Sequence, residues 1–364
     1  MKSYVFPRYL AKLLSSWFGI LAFAFSFIIL LFNTIELLRR THNHSHITLR
    51  KILPISLMEL PNLLDQLTPF MFLFATMFVL WNLSRKSELV VVRAAGFSIW
   101  SVLNPLALSA AVYGVLYLIL LNPFISLTHR EADRVFGKVF GQSRDLSALS
   151  KTGVWLRQSE ENSYTIVHIG TVENTKSFKN ITLYNFSQDS DFFHRIDSPQ
   201  AFLTEEGWLL KNASLSESNE LIEDVGDYLW STDLTMTKLQ QSLDSPYSMS
   251  VWKLPGFITL MEESGFLSHE YKLHFYTLLL KPILFISMVL LGGIVAFQNS
   301  RRQNGLRLII TGLFMGFGLY LLHYLFYSLG KTSAVPIWIS ACAPTFISLL
   351  VAIILLLHLE ERPK

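Results

Sequence analysis

The run LLSSWFGILAFAFSFIILLFNTI, Leu13 to Ile35, carries no charge along its whole length. An α-helix rises about 1.5 Å per residue and the hydrocarbon core of a bilayer is about 30 Å thick, so this run is long enough to cross as a helix. Lys2, Arg8 and Lys12 precede it, but it is too long and too evenly apolar for a cleaved secretory signal, and no small-x-small site follows. A retained span is therefore expected.

Five further stretches pass the same test: Gln66 to Ser84, a segment within Ala94 to Thr128, Pro282 to Ser300, Leu308 to Gly330, and Thr332 to Leu359. The composition, 51% hydrophobic and only 16% charged, agrees with a membrane protein. The layout is three spans, a polar middle, then three spans. Residues 1–128 form the first membrane part, 129–271 an inserted domain with its connector, and 272–364 the second membrane part.

Lysine and arginine in short loops set the orientation. Eleven lie with the termini and the second-to-third and fourth-to-fifth loops, against five (Arg39, Arg40, Arg50, Lys51, Lys331) on the other side. Both termini are expected in the cytoplasm and the middle domain outside. Residues 129–271 carry 12 basic and 21 acidic side chains, whereas the remainder carries 18 and 6. Basic charge scattered around membrane ends argues against a nucleic-acid partner.

In the middle domain the pattern changes to short alternating runs: GVWLRQ from Gly153, YTIVHIGTV from Tyr164, ITLYNFS from Ile181, GWLLKNASL from Gly207 and DYLWSTDL from Asp227. Period-two alternation bounded by turn residues is the mark of half-buried strands, and an all-β sandwich or jelly roll is expected. An edge of such a domain either accepts a partner's strand or is blunted within a self-contained fold. Cys342 is the single cysteine, so the domain has no internal disulfide.

No motif for chemistry stands out. Gly330, Lys331 and Thr332 match the end of a phosphate-binding loop, but its opening glycine is replaced by Leu325. His269, Glu270 and His274 lack the four-residue histidine spacing of a zinc-protease helix. His42, His44 and His46 alternate in a loop without a supporting carboxylate cluster, which reads as a solvated loop. The triplets at Asn180, Asn185 and Asn212 resemble glycosylation acceptors and are common by chance. No catalytic residue, metal site or bound cofactor is expected.

The most informative segment is SRKSELVVVRAAGFS, Ser84 to Ser98, between the second and third spans. Ser84 or Ser87 is suited to cap a short helix at about 84–97, Leu89 and Val92 share a face, and Gly96 is suited to stop it. Such a helix either lies in the headgroups as an anchor or plugs into a soluble partner. Arg39 and Arg40 sit at the external end of the first span, against the charge bias, where phosphate recognition or plain headgroup anchoring would place them. Lys281, beside Pro282, reads first as a snorkelling lysine and second as a substrate contact. Gly312, Gly316 and Gly318 suit close packing, with a partner subunit as the first expectation.

The 84–98 segment resembles the coupling region of the lipopolysaccharide export permeases LptF and LptG, in which SEL is followed by an R-A-x-G-x-S pattern. The resemblance extends over nearly the whole chain, through SGFLSHEYKLHFYTLLLKPILF, and the IELLRR sequence at Ile35 to Arg40 brings it nearer to the LptG-like member. It implies an α-helical membrane protein with six transmembrane helices and an inserted all-β, jellyroll-like periplasmic domain, in the inner membrane of a Gram-negative bacterium. It further implies a permease that is not itself an enzyme, working with a paralogous LptF-like subunit, a dimeric cytoplasmic ATPase that uses ATP, and periplasmic jellyroll partners. By the resemblance Glu88 engages a groove of the ATPase and Arg39 and Arg40 face the lipid; Arg85, Leu89, Arg93 and Gly96 are the further candidates for coupling, and Lys281 is the further candidate for a substrate contact. A secondary transporter or a non-transporting scaffold remain the alternatives on residues alone.

Overall fold

The computed structural model describes residues 5–40, 49–140, 154–159, 163–174, 177–187, 192–204, 207–217, 223–232, 245–263, 268–299 and 305–361. The helices are α1 (Val5–Arg40), α2 (Leu49–Arg85), α3 (Glu88–Ala94) and α4 (Ile99–Leu116), which runs through a π-helical turn (Tyr117–Leu121) into α5 (Asn122–Phe140). Six strands follow: β1 (Val154–Ser159), β2 (Ser163–Asn174), β3 (Ser177–Ser187), β4 (Phe192–Leu203), β5 (Trp208–Glu217) and β6 (Glu223–Trp230). The chain returns through α6 (Leu254–Glu263) to α7 (His269–Asn299), α8 (Gly305–Lys331) and α9 (Ile337–Glu361). Among the described residues six helical stretches are long and apolar enough to cross a membrane, as expected, with the β domain inserted between the third and fourth.

The chain divides into two compact units. One comprises Met1–Ala132, Met249–Trp252 and His269–Lys364, the other Asp133–Ser248 and Lys253–Ser268.

In the helical unit the second span is longer than the uncharged run suggests. It starts at Leu49 and passes through Pro54, Pro61 and Pro69, so Asp65 lies well inside the helix rather than at its end. Prolines of this kind persist in membrane helices because neighbouring helices and side chains serve the freed carbonyls. Helix packing here relies on small residues, since lipid gives no hydrophobic drive for helices to associate. A Cβ on Gly292 of α7 would lie 2.5 Å from the Leu73 carbonyl oxygen of α2, and one on Gly114 of α4 would lie 2.5 Å from Pro282 Cα. Gly312 and Gly316 of α8 face Met77 and Phe70 of α2, which corrects the expectation that they meet a partner subunit; Gly318 has open space around it. Phe72 sits at the centre of an aromatic cluster, 4.8 Å from Phe18, 5.1 Å from Tyr113 and 4.8 Å from Phe285 between ring centroids.

The β unit is one antiparallel sheet in sequential order β1-β2-β3-β4-β5-β6. The inserted β domain is present as expected, its described strands connected as a meander within a single sheet, and the unit also takes in the end of α5 and α6. Val167, Ile169, Phe178, Ile181, Leu183, Ile196, Trp208 and Leu210 form its core, with Phe178 and Trp208 stacked at 4.6 Å.

A row of irregular residues crosses this sheet. Ladder pairing joins Ile181 to Ser198 and Lys179 to Gln200, but skips Asn180 and Pro199 between them. On the other side of β4 it joins Asp197 to Ser214 and Gln200 to Lys211, and skips Ser198 and Pro199 on β4 and Asn212 and Ala213 on β5. Asn180 and Asn212 both have left-handed backbones, with φ of 54° and 50°. Such a residue shifts the alternation by one. Phe178 and Ile181, Ser198 and Ala201, and Leu210 and Ala213 are each three apart, yet all are buried, whereas residues three apart in a regular strand face opposite sides. Proline has no N–H to give the ladder and is normally kept out of central strands; here the residues opposite it on both neighbours, Asn180 and Asn212, leave the ladder with left-handed backbones. Ser198 Oγ lies 2.7 Å from the carbonyl oxygens of Gln200 and Lys211, so its hydroxyl supplies a donor beside the proline.

Candidate functional site

Helix α3 joins the second and third spans through two tight turns. Lys86 N–H donates to Asn82 O and Ser87 N–H to Ser84 O, both at 3.1 Å, and Ser87 then turns through a left-handed backbone of φ 59° into the helix. Its side chain makes no cap hydrogen bond, which corrects the capping role expected of it. The helix ends as the sequence suggests. Gly96, at φ 85°, takes a conformation that costs a residue without Cβ little, and its N–H donates to Arg93 O. Ser98 opens α4, its hydroxyl accepting from Ser101 N–H at 3.3 Å.

Only Leu89 of α3 is buried. Val90, Val91 and Phe97 are 63%, 67% and 55% exposed, so the segment presents an apolar surface next to the charged Arg85, Lys86, Glu88 and Arg93. Two contacts fix its attitude, and a third orders the end of α2 beside it. Tyr9 of α1 donates a hydrogen bond to Glu88 Oε2 at 3.2 Å, Arg93 lies over the Phe297 ring of α7 at 5.9 Å, and Arg85 lies over Trp81 at 5.1 Å. Arg93 thus orients the helix against the bundle and Arg85 folds back along α2, both remaining exposed. Nothing in the sequence pointed to Tyr9, which is 79 residues from its partner.

At the other end of the first span, Arg39 is bonded to Glu36 one turn earlier, at 2.9 Å, with its side chain 77% exposed. Its charge is therefore balanced, although its place against the charge bias suggests otherwise. Arg40 ends α1 and its side chain lies outside the described residues, as do His42, His44 and His46. Below Arg39, Asn33 donates to Glu59 Oε2 at 2.9 Å, joining α1 to a buried carboxylate of α2.

Lys281 does not reach back toward an interface. Its ammonium donates to both oxygens of Asp65, at 2.7 and 2.5 Å, and to Tyr117 Oη at 2.6 Å, with the nitrogen 4.2 Å from the centre of the Tyr117 ring. The two charged side chains are 12% and 13% exposed. The snorkelling expectation is overturned: a carboxylate and a phenol inside the bundle supply what water or headgroups would supply outside it. Gly330, Lys331 and Thr332 close α8, with Lys331 paired to Glu270 at 2.7 Å and Thr332 Oγ1 donating to Ser328 O or Leu329 O.

Comparison with known proteins agrees with this architecture. A family model described as lipopolysaccharide export system permease LptF/LptG matches residues 8–358. The lipopolysaccharide export system permease protein LptG of Haemophilus influenzae is 26% identical over 285 residues, 76% of each chain. Its Escherichia coli counterpart is 23% identical over 319 residues, covering 83% of this chain and 84% of the relative. With six membrane-length helices, an inserted antiparallel sheet and a match along almost its whole length, this chain belongs to the LptF/LptG family of lipopolysaccharide export permeases.

Proposed function

We propose that this chain is the LptG-type permease subunit of an ABC transporter that draws lipopolysaccharide from the outer leaflet of the inner membrane. The observation that carries the reading is α3: a seven-residue helix held between two spans, with the Glu88 carboxylate beside exposed Val90 and Val91. That surface suits a groove that takes apolar side chains and pairs a cation or N–H groups with the carboxylate. A separate dimeric ATPase in the cytoplasm supplies the groove and the ATP. An LptF-like permease completes the lipid cavity, and periplasmic jellyroll proteins receive the lipid from the β domain. Both termini and α3 face the cytoplasm on the count of short-loop cations, and the acidic β domain faces the periplasm.

In this reading the lipid enters sideways, its acyl chains against apolar helices and its phosphates near Arg39 and Arg40. A planar guanidinium matches two phosphate oxygens at once, and the exposed Arg39 can trade Glu36 for them. Closure of the ATPase moves α3 and the spans on either side of it, which expels the lipid. The test is Glu88→Ala in the complex reconstituted with its ATPase. Lipopolysaccharide release should fall or uncouple from hydrolysis; unchanged release and coupling would remove α3 from the mechanism.

A further inference from the structure

Two features inside the helical unit carry a cost and meet at one point. An ion pair, Lys281–Asp65, is buried where charge is expensive, and a pair of apolar residues would hold helices together as well. The third span breaks its α-helical hydrogen bonding at the same place, because Tyr117 begins a π-helical turn in which the Asn122 N–H donates to Tyr117 O. Single π turns inside α-helices concentrate at functional sites. Here the turn carries the hydroxyl that accepts from Lys281. Asp65, Tyr117 and Lys281 come from the second, third and fourth spans, and Gly114 and Pro282 press the third and fourth together one turn away.

The position of the cluster along the bundle gives it a use. Asp65, Tyr117 and Lys281 lie about 16–20 residues along their helices from the α3 end, or ~24–30 Å. At that α3 end the second and third spans are joined through α3 itself, and Arg93 rests on Phe297 of the fourth. The three spans are therefore connected at two levels, by α3 with Phe297 at one end and by the ion pair with Tyr117 part-way along the helices. The aromatic contacts of Phe72 with Tyr113 and Phe285 also join these spans, but they are apolar, and the ion pair is the contact that opposes sliding of the second span against the third and fourth when α3 is pushed.

We propose that Asp65, Lys281 and Tyr117 are positioning residues that lock the second, third and fourth spans in register, so that displacement of α3 tilts all three as one body. The proposal rests on the coupling role of α3 given above. An ion pair suits the task because it fixes which residues face one another, whereas apolar contacts tolerate sliding.

The test uses the complex of this chain with its partner permease and ATPase in lipopolysaccharide-containing vesicles, reading lipid released per ATP hydrolysed. Asp65→Leu with Lys281→Met removes the pair without stranding a charge. The ratio should fall about fivefold or more, and the reversed pair, Asp65→Lys with Lys281→Asp, should recover part of it. A complex that assembles with the apolar pair and keeps the wild-type ratio overturns the proposal. If that variant does not assemble, Tyr117→Phe, which loses one hydroxyl, decides by the same ratio: a fall supports the lock and no change removes it. Glu88→Ala is measured alongside. If it too keeps the wild-type ratio, the coupling reading itself has failed, whereas a defective Glu88→Ala beside normal cluster variants removes the lock alone.

Discussion

Gly114 and Pro282 touch so closely that the missing Cβ of the glycine would sit 2.5 Å from the proline Cα, fixing the third span against the fourth beside Lys281. Backbone cannot yield as a flexible side chain does. Gly114→Val should therefore lower stability by about 1–3 kcal/mol, read as a lower thermal midpoint of the purified protein in detergent. Gly318→Ala, in open space on α8, should leave the midpoint unchanged.

Tyr9 and Glu88 make a second prediction. A groove that takes the Glu88 carboxylate competes with Tyr9 for it, so the resting hydrogen bond opposes docking. Tyr9→Phe should tighten ATPase binding by about 0.5–1.5 kcal/mol, roughly two- to tenfold, in a titration of the ATPase onto the purified permease. Unchanged affinity would mean that both contacts coexist.

Arg39 is held by Glu36, which competes with any phosphate for the same guanidinium. Glu36→Gln should raise lipopolysaccharide crosslinking at the first span, and Arg39→Glu with Arg40→Glu should lower it. If neither change moves the crosslinking yield, the first span does not bind the phosphates.

In the sheet, Asn212 occupies a conformation that suits glycine and asparagine and penalises β-branched side chains. Asn212→Val should cost about 1–3 kcal/mol, visible as faster amide exchange in β4 and β5. Asn212→Gly should leave exchange there as it is.

The six spans were legible because an uncharged run of bilayer length is seldom anything but a membrane helix, and α3 was legible through Gly96. Other features were hidden for physical reasons. Strand β4 is illegible because Pro199 interrupts it and Ser198 and Ala201 are buried out of phase, so no alternation survives in FFHRIDSPQAFL. The partners of Lys281 are 216 and 164 residues away in sequence. No local pattern announces them, and Asp65 falls just outside the recognised run because Arg50, Lys51, Pro54 and Pro61 disguise the first half of α2. Backbone geometry accounts for the asparagines of the triplets at Asn180 and Asn212, since asparagine tolerates positive φ better than most residues with a Cβ.

The interrupted row through Asn180, Pro199 and Asn212 also decides how the β strands find one another during folding. A strand that slid by one position would set the proline against a neighbour whose amide needs an acceptor and whose carbonyl needs a donor, and would turn its apolar side chains outward. Correct alignment is thus written into the middle of the sheet, as a notch fits a key. The connecting loops are relieved of that duty and are free to change length without misaligning the strands.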